Sequence, residues 1–147
     1  MSGAGDFGSK DLLFARAVEV PADEVPTGAA GEVAEALLTS LGRRLTGEPV
    51  ASLAVLRSML TNADAADRYR AAGEPRLNQI TEAIPAPDAN LRASLLSAII
   101  HGVLAERYLL RLTHLADASP EQIIDLLRPC FQSLTAPAPA SVEPRSA

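Results

Sequence analysis

Apolar residues recur along this chain at the three- and four-residue spacing of helices, and they rarely alternate as a half-buried strand requires. Ser9 is placed to cap a helix from Lys10 to about Val20, which Pro21 ends. The prolines and glycines of residues 21–31 predict a loop. Leu37, Leu38, Leu41 and Leu45 form the buried stripe of a helix over about 30–45, and Gly47-Glu48-Pro49 punctuates its end. Leu53, Leu56 and Leu60 share one face of a helix over about 50–60. The Ala-rich polar run Asn62–Arg70 predicts a short helix, broken or bent at Gly73-Glu74-Pro75, and Leu77, Ile80 and Ile84 resume the pattern until Pro85 and Pro87.

The last two helices carry the strongest signals. From Asp88 or Asn90 to about Leu112 the wheel is apolar on two sides. Leu91, Leu95, Ile99, Gly102 and Leu109 make one face; Leu96, Ile100, Val103, Leu104 and Leu110 cover much of the other. Such a helix is buried on both sides. One side suits its own subunit and the other a partner chain. After a short loop, Ser119 is the N-cap of a final helix, with Pro120 at N1 and Gln122 completing a capping box. Ile123, Ile124, Leu126, Leu127, Cys130, Phe131 and Leu134 share its apolar arc, which makes Cys130 a buried thiol. Pro129 lies on the polar side and predicts a kink, not a stop. Residues 136–147 alternate Pro, Ala and Ser without period and read as a disordered tail. The pattern gives an all-α domain of about six helices.

Composition narrows the functions. The net charge is −5, and the only basic pair of note, Arg43-Arg44, is too short to track a phosphate backbone. The single Cys130 rules out an internal disulfide and fits a reducing compartment. No apolar run approaches the roughly 20 residues of a membrane span, and no signal peptide is visible, which makes the cytoplasm the default. Glycine-rich phosphate loops, paired-cysteine motifs and spaced histidine pairs are missing, so neither a metal nor a cofactor is expected. An enzyme is not expected either: Asp64 and Asp67 sit in polar surroundings that would not perturb a carboxylate.

One constellation remains. Ser94, Ser97, His101 and Tyr108 fall in one sector of the long helix, a polar stripe between apolar faces. Such groups suit the wall of a mostly apolar ligand cavity, to which Leu56 and Met59 add apolar surface, with Tyr69 and Arg107 as weaker candidates. The same stripe also suits a solvated edge or hydrogen bonds between subunits. Gly102, costly inside a helix, points to close approach of another helix.

Two segments resemble TetR-family transcriptional regulators. The run Phe7-Gly8-Ser9-Lys10-Asp11-Leu12-Leu13-Phe14 is similar to the exit of the family's helix-turn-helix. The stretch Gly102–Leu134, with Arg107-Tyr108, Leu115, Ala118-Ser119-Pro120-Glu121 and Pro129, resembles the closing segment of many actinobacterial members. The resemblance implies a remnant of the DNA-binding head at 1–8, a regulatory domain at 9–135 and a tail at 136–147. It places Lys10 near the DNA backbone, while Asp6 stands where an aromatic residue is expected. It further implies a homodimer whose four-helix bundle uses Leu95, Ile99, Gly102, Ile123, Ile124, Leu127 and Phe131, and a small, largely apolar ligand as the second partner. DNA would be a partner only if a longer native chain supplied the recognition helix. The expected function is a ligand-sensing and dimerisation domain. The alternatives are an interaction protein that pairs with intact relatives, or a helical scaffold without ligand.

Overall fold

The structure, a computed structural model, describes residues 30–47 and 50–139. The expected helix over 10–20, Lys10 and the greater part of the tail lie outside those residues. Among the described residues there are six α-helices and no strand: α1 (Ala30–Leu45), α2 (Val50–Thr61), α3 (Ala63–Ala83), α4 (Ala89–Leu104), α5 (Thr113–Asp117) and α6 (Pro120–Thr135). A π-helical turn, Ala105–Leu109, continues α4.

The core gathers one stripe from each of four helices. Val33, Ala34, Leu37, Leu38, Leu41 and Leu45 come from α1, and Ile80 from α3 with Ile84 at its C-cap. Ala89, Ala93, Leu96, Ile100 and Leu104 come from α4, and Ile123 and Phe131 from α6. The most extensive packing joins α1 to α6, while α3 packs on both α2 and α4. The expected pairing of the last two helices is therefore the lesser contact of α6. Arg92 on α4 fixes their antiparallel sense. Its Nη1 donates to the carbonyls of Ser133, Leu134 and Ala136 at 3.1–3.5 Å, a cation on the negative end of the α6 dipole.

Four expectations about elements change. Gly73-Glu74-Pro75 does not interrupt α3, which runs unbroken through Pro75. The carbonyl that Pro75 deprives of a donor belongs to Ala71, an exposed residue, so water replaces the lost bond. The α-helical part of α4 ends at Leu104, not near Leu112. The chain widens into the π turn, closed by Leu110 N–H on the Ala105 carbonyl and Leu112 N–H on the Glu106 carbonyl. Arg111, at φ 52°, supplies the left-handed residue that reverses the chain, a place where glycine is usual. The stretch before Ser119, read as a loop, contains α5. Cys130 is exposed, because its neighbour Phe131 takes the inward position and successive helical residues differ by about 100°.

The capping box of α6 forms as its sequence requires. Gln122 N–H donates to Ser119 Oγ at 3.2 Å, and Ser119 N–H donates to Gln122 Oε1 at 2.9 Å. The helix continues through Pro129 to Thr135. Leu53 and Val55 on α2 and Ala65 in the first turn of α3 are also buried, but they form no part of the main cluster.

Candidate functional site

Polar side chains from three helices meet inside the molecule. On α1, Ser40 and Arg44 stand one turn apart. On α3, Tyr69 and Arg76 stand two turns apart on one face. On α4, Ser97 and His101 are again one turn apart. Tyr69 Oη is hydrogen-bonded to His101 Nε2, and the two rings meet edge to face with centroids 5.6 Å apart. Ser97 Oγ lies 3.4 Å from His101 Nδ1, and Arg76 Nη2 donates to the buried Ser40 Oγ at 3.4 Å. Burial, reinforced by the charges of Arg44 and Arg76, pushes the His101 pKa below that of a free imidazole. Burial pushes the Tyr69 phenol up, against the opposing pull of the same two arginines. Both rings are therefore uncharged at neutral pH.

A second set of bonds ties the end of α4 to its neighbours. Tyr108 Oη donates into the carbonyls at the end of α1, 3.2 Å from those of Arg44 and Leu45. Arg107 Nη1 donates to the carbonyls of Leu115 and Ala118, each at 2.7 Å, and its guanidinium lies 5.7 Å from the Tyr108 ring centroid. On the outer side of α4, Leu91 and Leu95 are 62% and 44% exposed, and Leu126 on α6 is 82% exposed. A Cβ built on Gly102 would meet nothing within 4 Å.

The model of the tetracyclin repressor-like C-terminal domain matches residues 27–134. The chain belongs to this family. No curated protein and no solved structure matches it significantly. The all-helical TetR-like fold agrees with the sequence pattern, and domains of this family typically dimerise and bind ligands. No described helix is long and apolar enough to cross a membrane.

Within this TetR-like domain the residues singled out from the sequence separate into three groups. Ser97 and His101 meet in the polar cluster. Ser94 does not: it is exposed, and its hydroxyl donates back to the Asn90 carbonyl of its own helix at 2.9 Å. Tyr108 does not either, since its phenol serves the end of α1. Leu56 and Met59 are half-buried on α2, which packs against α3 and the π turn, and they take no part in the hydrogen-bonded cluster. Of the residues assigned to a dimer face, Leu95 and Gly102 are exposed, while Ile99, Ile124 and Leu127 are half-buried against the core. Ile123 and Phe131 belong to the chain's own core, 6% and 0% exposed, on the helix that packs most extensively against α1.

Sequence reasoning missed Arg76, Ser40 and the side chain of Arg44. The obstacle was the break or bend expected at Gly73-Glu74-Pro75. Tyr69 and Arg76 fell on different elements, although their spacing puts both on one face of a continuous helix.

The neutral His101 has a consequence for stability. Its folded pKa lies below the unfolded value near 6.5, so the unfolded chain binds the extra proton first. This contribution is complete above about pH 6.5 and is lost as pH falls below it, with a slope of at most about 1.4 kcal/mol per pH unit. Urea unfolding at pH 7 and pH 5 should show a loss in the wild type and a smaller one in His101→Gln. Equal losses in the two proteins would mean that His101 folds with an unshifted pKa.

Proposed function

We propose that this chain is the ligand-sensing and dimerisation domain of a TetR-like transcriptional regulator, spanning about 9–135. Domains of this kind are generally regulatory and not enzymatic. A polar cluster enclosed by three helices supports ligand sensing, since ligand sites are mostly apolar with a few placed polar groups. The outer side of α4 and α6 supports self-association. Leu91, Leu95 and Leu126 expose apolar surface there, and Gly102 offers a flat place for a neighbouring helix. Two copies related by a twofold axis would each bury the same stripe. With a net charge of −5 and no basic stripe, these 147 residues by themselves should leave DNA unbound.

The observation that carries the dimer reading is the open space over Gly102, because it separates the fold from the interface. Inside the subunit nothing would obstruct a side chain at Gly102, and replacing a helical glycine favours the helix by roughly 1 kcal/mol. Gly102→Leu should therefore leave the subunit folded and weaken the dimer at least tenfold. Light scattering of the wild type should give twice the 15.4 kDa of the chain. A wild-type monomer at micromolar concentration, or unchanged association in the variant, would overturn the reading. Ligand sensing is checked by thermal shift across a panel of apolar small molecules, in which a binder raises the melting temperature.

A further inference from the structure

We propose that the face between α3 and α4 opens, one turn from the Tyr69–His101 bond, into a site for the carbonyl group of a mostly apolar, uncharged ligand such as a ketone or an ester. The inference rests on the ligand-sensing reading and adds the place and the chemical class. At 3.6 residues per turn, Tyr69, Gly73 and Ile80 fall within about 40° of one another on α3. Tyr69 is bonded to α4, and Ile80 is buried in the main cluster. Gly73, between them in the chain, is exposed, and a Cβ built on it would meet nothing within 4 Å. A face that is packed at both ends is therefore open in its middle. Helices α3 and α4 run antiparallel through the short connection of residues 84–88. Gly73 lies one turn from Tyr69 toward that connection, and Ser97 lies one turn from His101 toward it. The two positions face each other across the opening, with the Tyr69–His101 bond at one end.

The polar end of the opening has one donor too many. Ser97, His101 and Tyr69 form a chain of two hydrogen bonds. With a neutral ring, the two hydroxyls and the single ring N–H bring three donors to those two bonds. The one left over is a hydroxyl hydrogen, at Tyr69 in one tautomer of His101 and at Ser97 in the other. Among the described residues, none of the three side chains makes a further hydrogen bond that could absorb it. A half-buried donor without an acceptor is matched by an incoming oxygen. A carbonyl meets that need, whereas a charged head would have to leave water at a greater cost. Toward the connection the surroundings turn apolar. Leu77 and Ile80 follow Gly73 on α3, and the fully buried Ala93 lies one turn from Ser97 on α4. The ligand's body belongs at that end.

The test uses acetophenone and isopropenylbenzene, which share a shape and differ in having an oxygen or a CH2 group at one position. Binding to the full chain is followed by calorimetry at pH 7.5. Gly73→Leu fills the opening with a residue that favours the helix, so the fold should be kept and the affinity for both probes should fall at least tenfold. Asn78→Leu, on the exposed side of α3, should change neither. Tyr69→Phe/Ser97→Ala removes both hydroxyls. It should weaken acetophenone at least fivefold and leave isopropenylbenzene within twofold. Ser97→Ala and Tyr69→Phe alone, checked for native helicity, replace the double variant should it fail to fold, and one of them should carry most of the loss. Binding unaffected by Gly73→Leu would overturn the proposal by placing the probes elsewhere. Equal losses for the two probes on removal of the hydroxyls would overturn the carbonyl assignment while leaving a sensor of apolar ligands. If neither probe binds, the assignment falls, and the ligand-sensing reading then stands or falls on the thermal-shift panel.

Discussion

Phe131→Ala should destabilise the domain by about 3–5 kcal/mol, the usual cost of emptying a fully buried phenylalanine site. Phe131 has no exposed surface and is the largest of the fully buried side chains. It sits on α6, which makes its most extensive packing against α1, where Leu37, Leu38 and Leu41 are equally closed to solvent. A domain of this size is stable by only about 5–15 kcal/mol, so the substitution would remove a large share of the total. The melting temperature should fall by more than about 10 °C. Thermal unfolding followed by helical circular dichroism measures this, and Phe131→Leu, which keeps more of the volume, should lose less than half as much. The experiment also separates two places for this residue. If Phe131 served an interface between subunits, the loss would vanish on dilution below the dimer dissociation constant. A core residue destabilises the protein at every concentration.

The second large effect is expected at Arg107. Its guanidinium holds the Leu115 carbonyl in α5 and the Ala118 carbonyl just before the Ser119 cap. Hydrogen bonds from a charged donor contribute about 1.5–3 kcal/mol, and the contact with the Tyr108 ring adds about 0.5–1 kcal/mol. Arg107→Ala should therefore cost about 2–3 kcal/mol in urea unfolding. Limited proteolysis should find new cleavage between Leu110 and Ala118, since α5 has only five residues and only the half-buried Leu115 and Ala118 would still hold it to the core. Arg107→Lys should recover part of the loss, because an ammonium keeps the charge but not the planar fork. A stability within about 0.5 kcal/mol of wild type would mean that the two 2.7 Å contacts contribute nothing net.

Much of the fold was legible because local chemistry and packing agreed. The α1 bounds follow from the leucine stripe and the Gly-Glu-Pro punctuation after it. The α6 start follows from Ser119, Pro120 and Gln122, three residues whose preferences point the same way. The two-sided wheel of α4 divided in part as expected: Leu96, Ile100 and Leu104 are inward and Leu91 and Leu95 outward, but Ile99 of the outer face is half-buried against the core and Leu110 of the inner face is exposed. What failed was decided by solvent or by distant residues. Pro75 looks like a break, yet it is harmless where the carbonyl it orphans is exposed. The π turn and Arg111 have no local signature, since their geometry is set by where Arg107 and Tyr108 must reach.

The candidate site was half legible. Ser97 and His101 were found from their spacing on one helix. Their partners lie at sequence distances of 32 residues from Tyr69 to His101 and 36 from Ser40 to Arg76, and no periodicity links positions so far apart. Ser94 and Tyr108 shared the stripe but not its purpose. A stripe on a wheel specifies direction, whereas the partner depends on what the tertiary fold brings opposite.

The separate burial of Leu53, Val55 and Ala65 gives the molecule two tiers of cooperativity. The main cluster joins α1, α4 and α6 to the second half of α3, and the buried residues of α2 and of the first turn of α3 stand outside it. Segments with few buried contacts open at a free energy well below that of global unfolding. Tyr69 stands on α3 between these tiers. Amide exchange along α3 should then slow from Ala65 toward Ile80, with the Tyr69–His101 contact at the changeover.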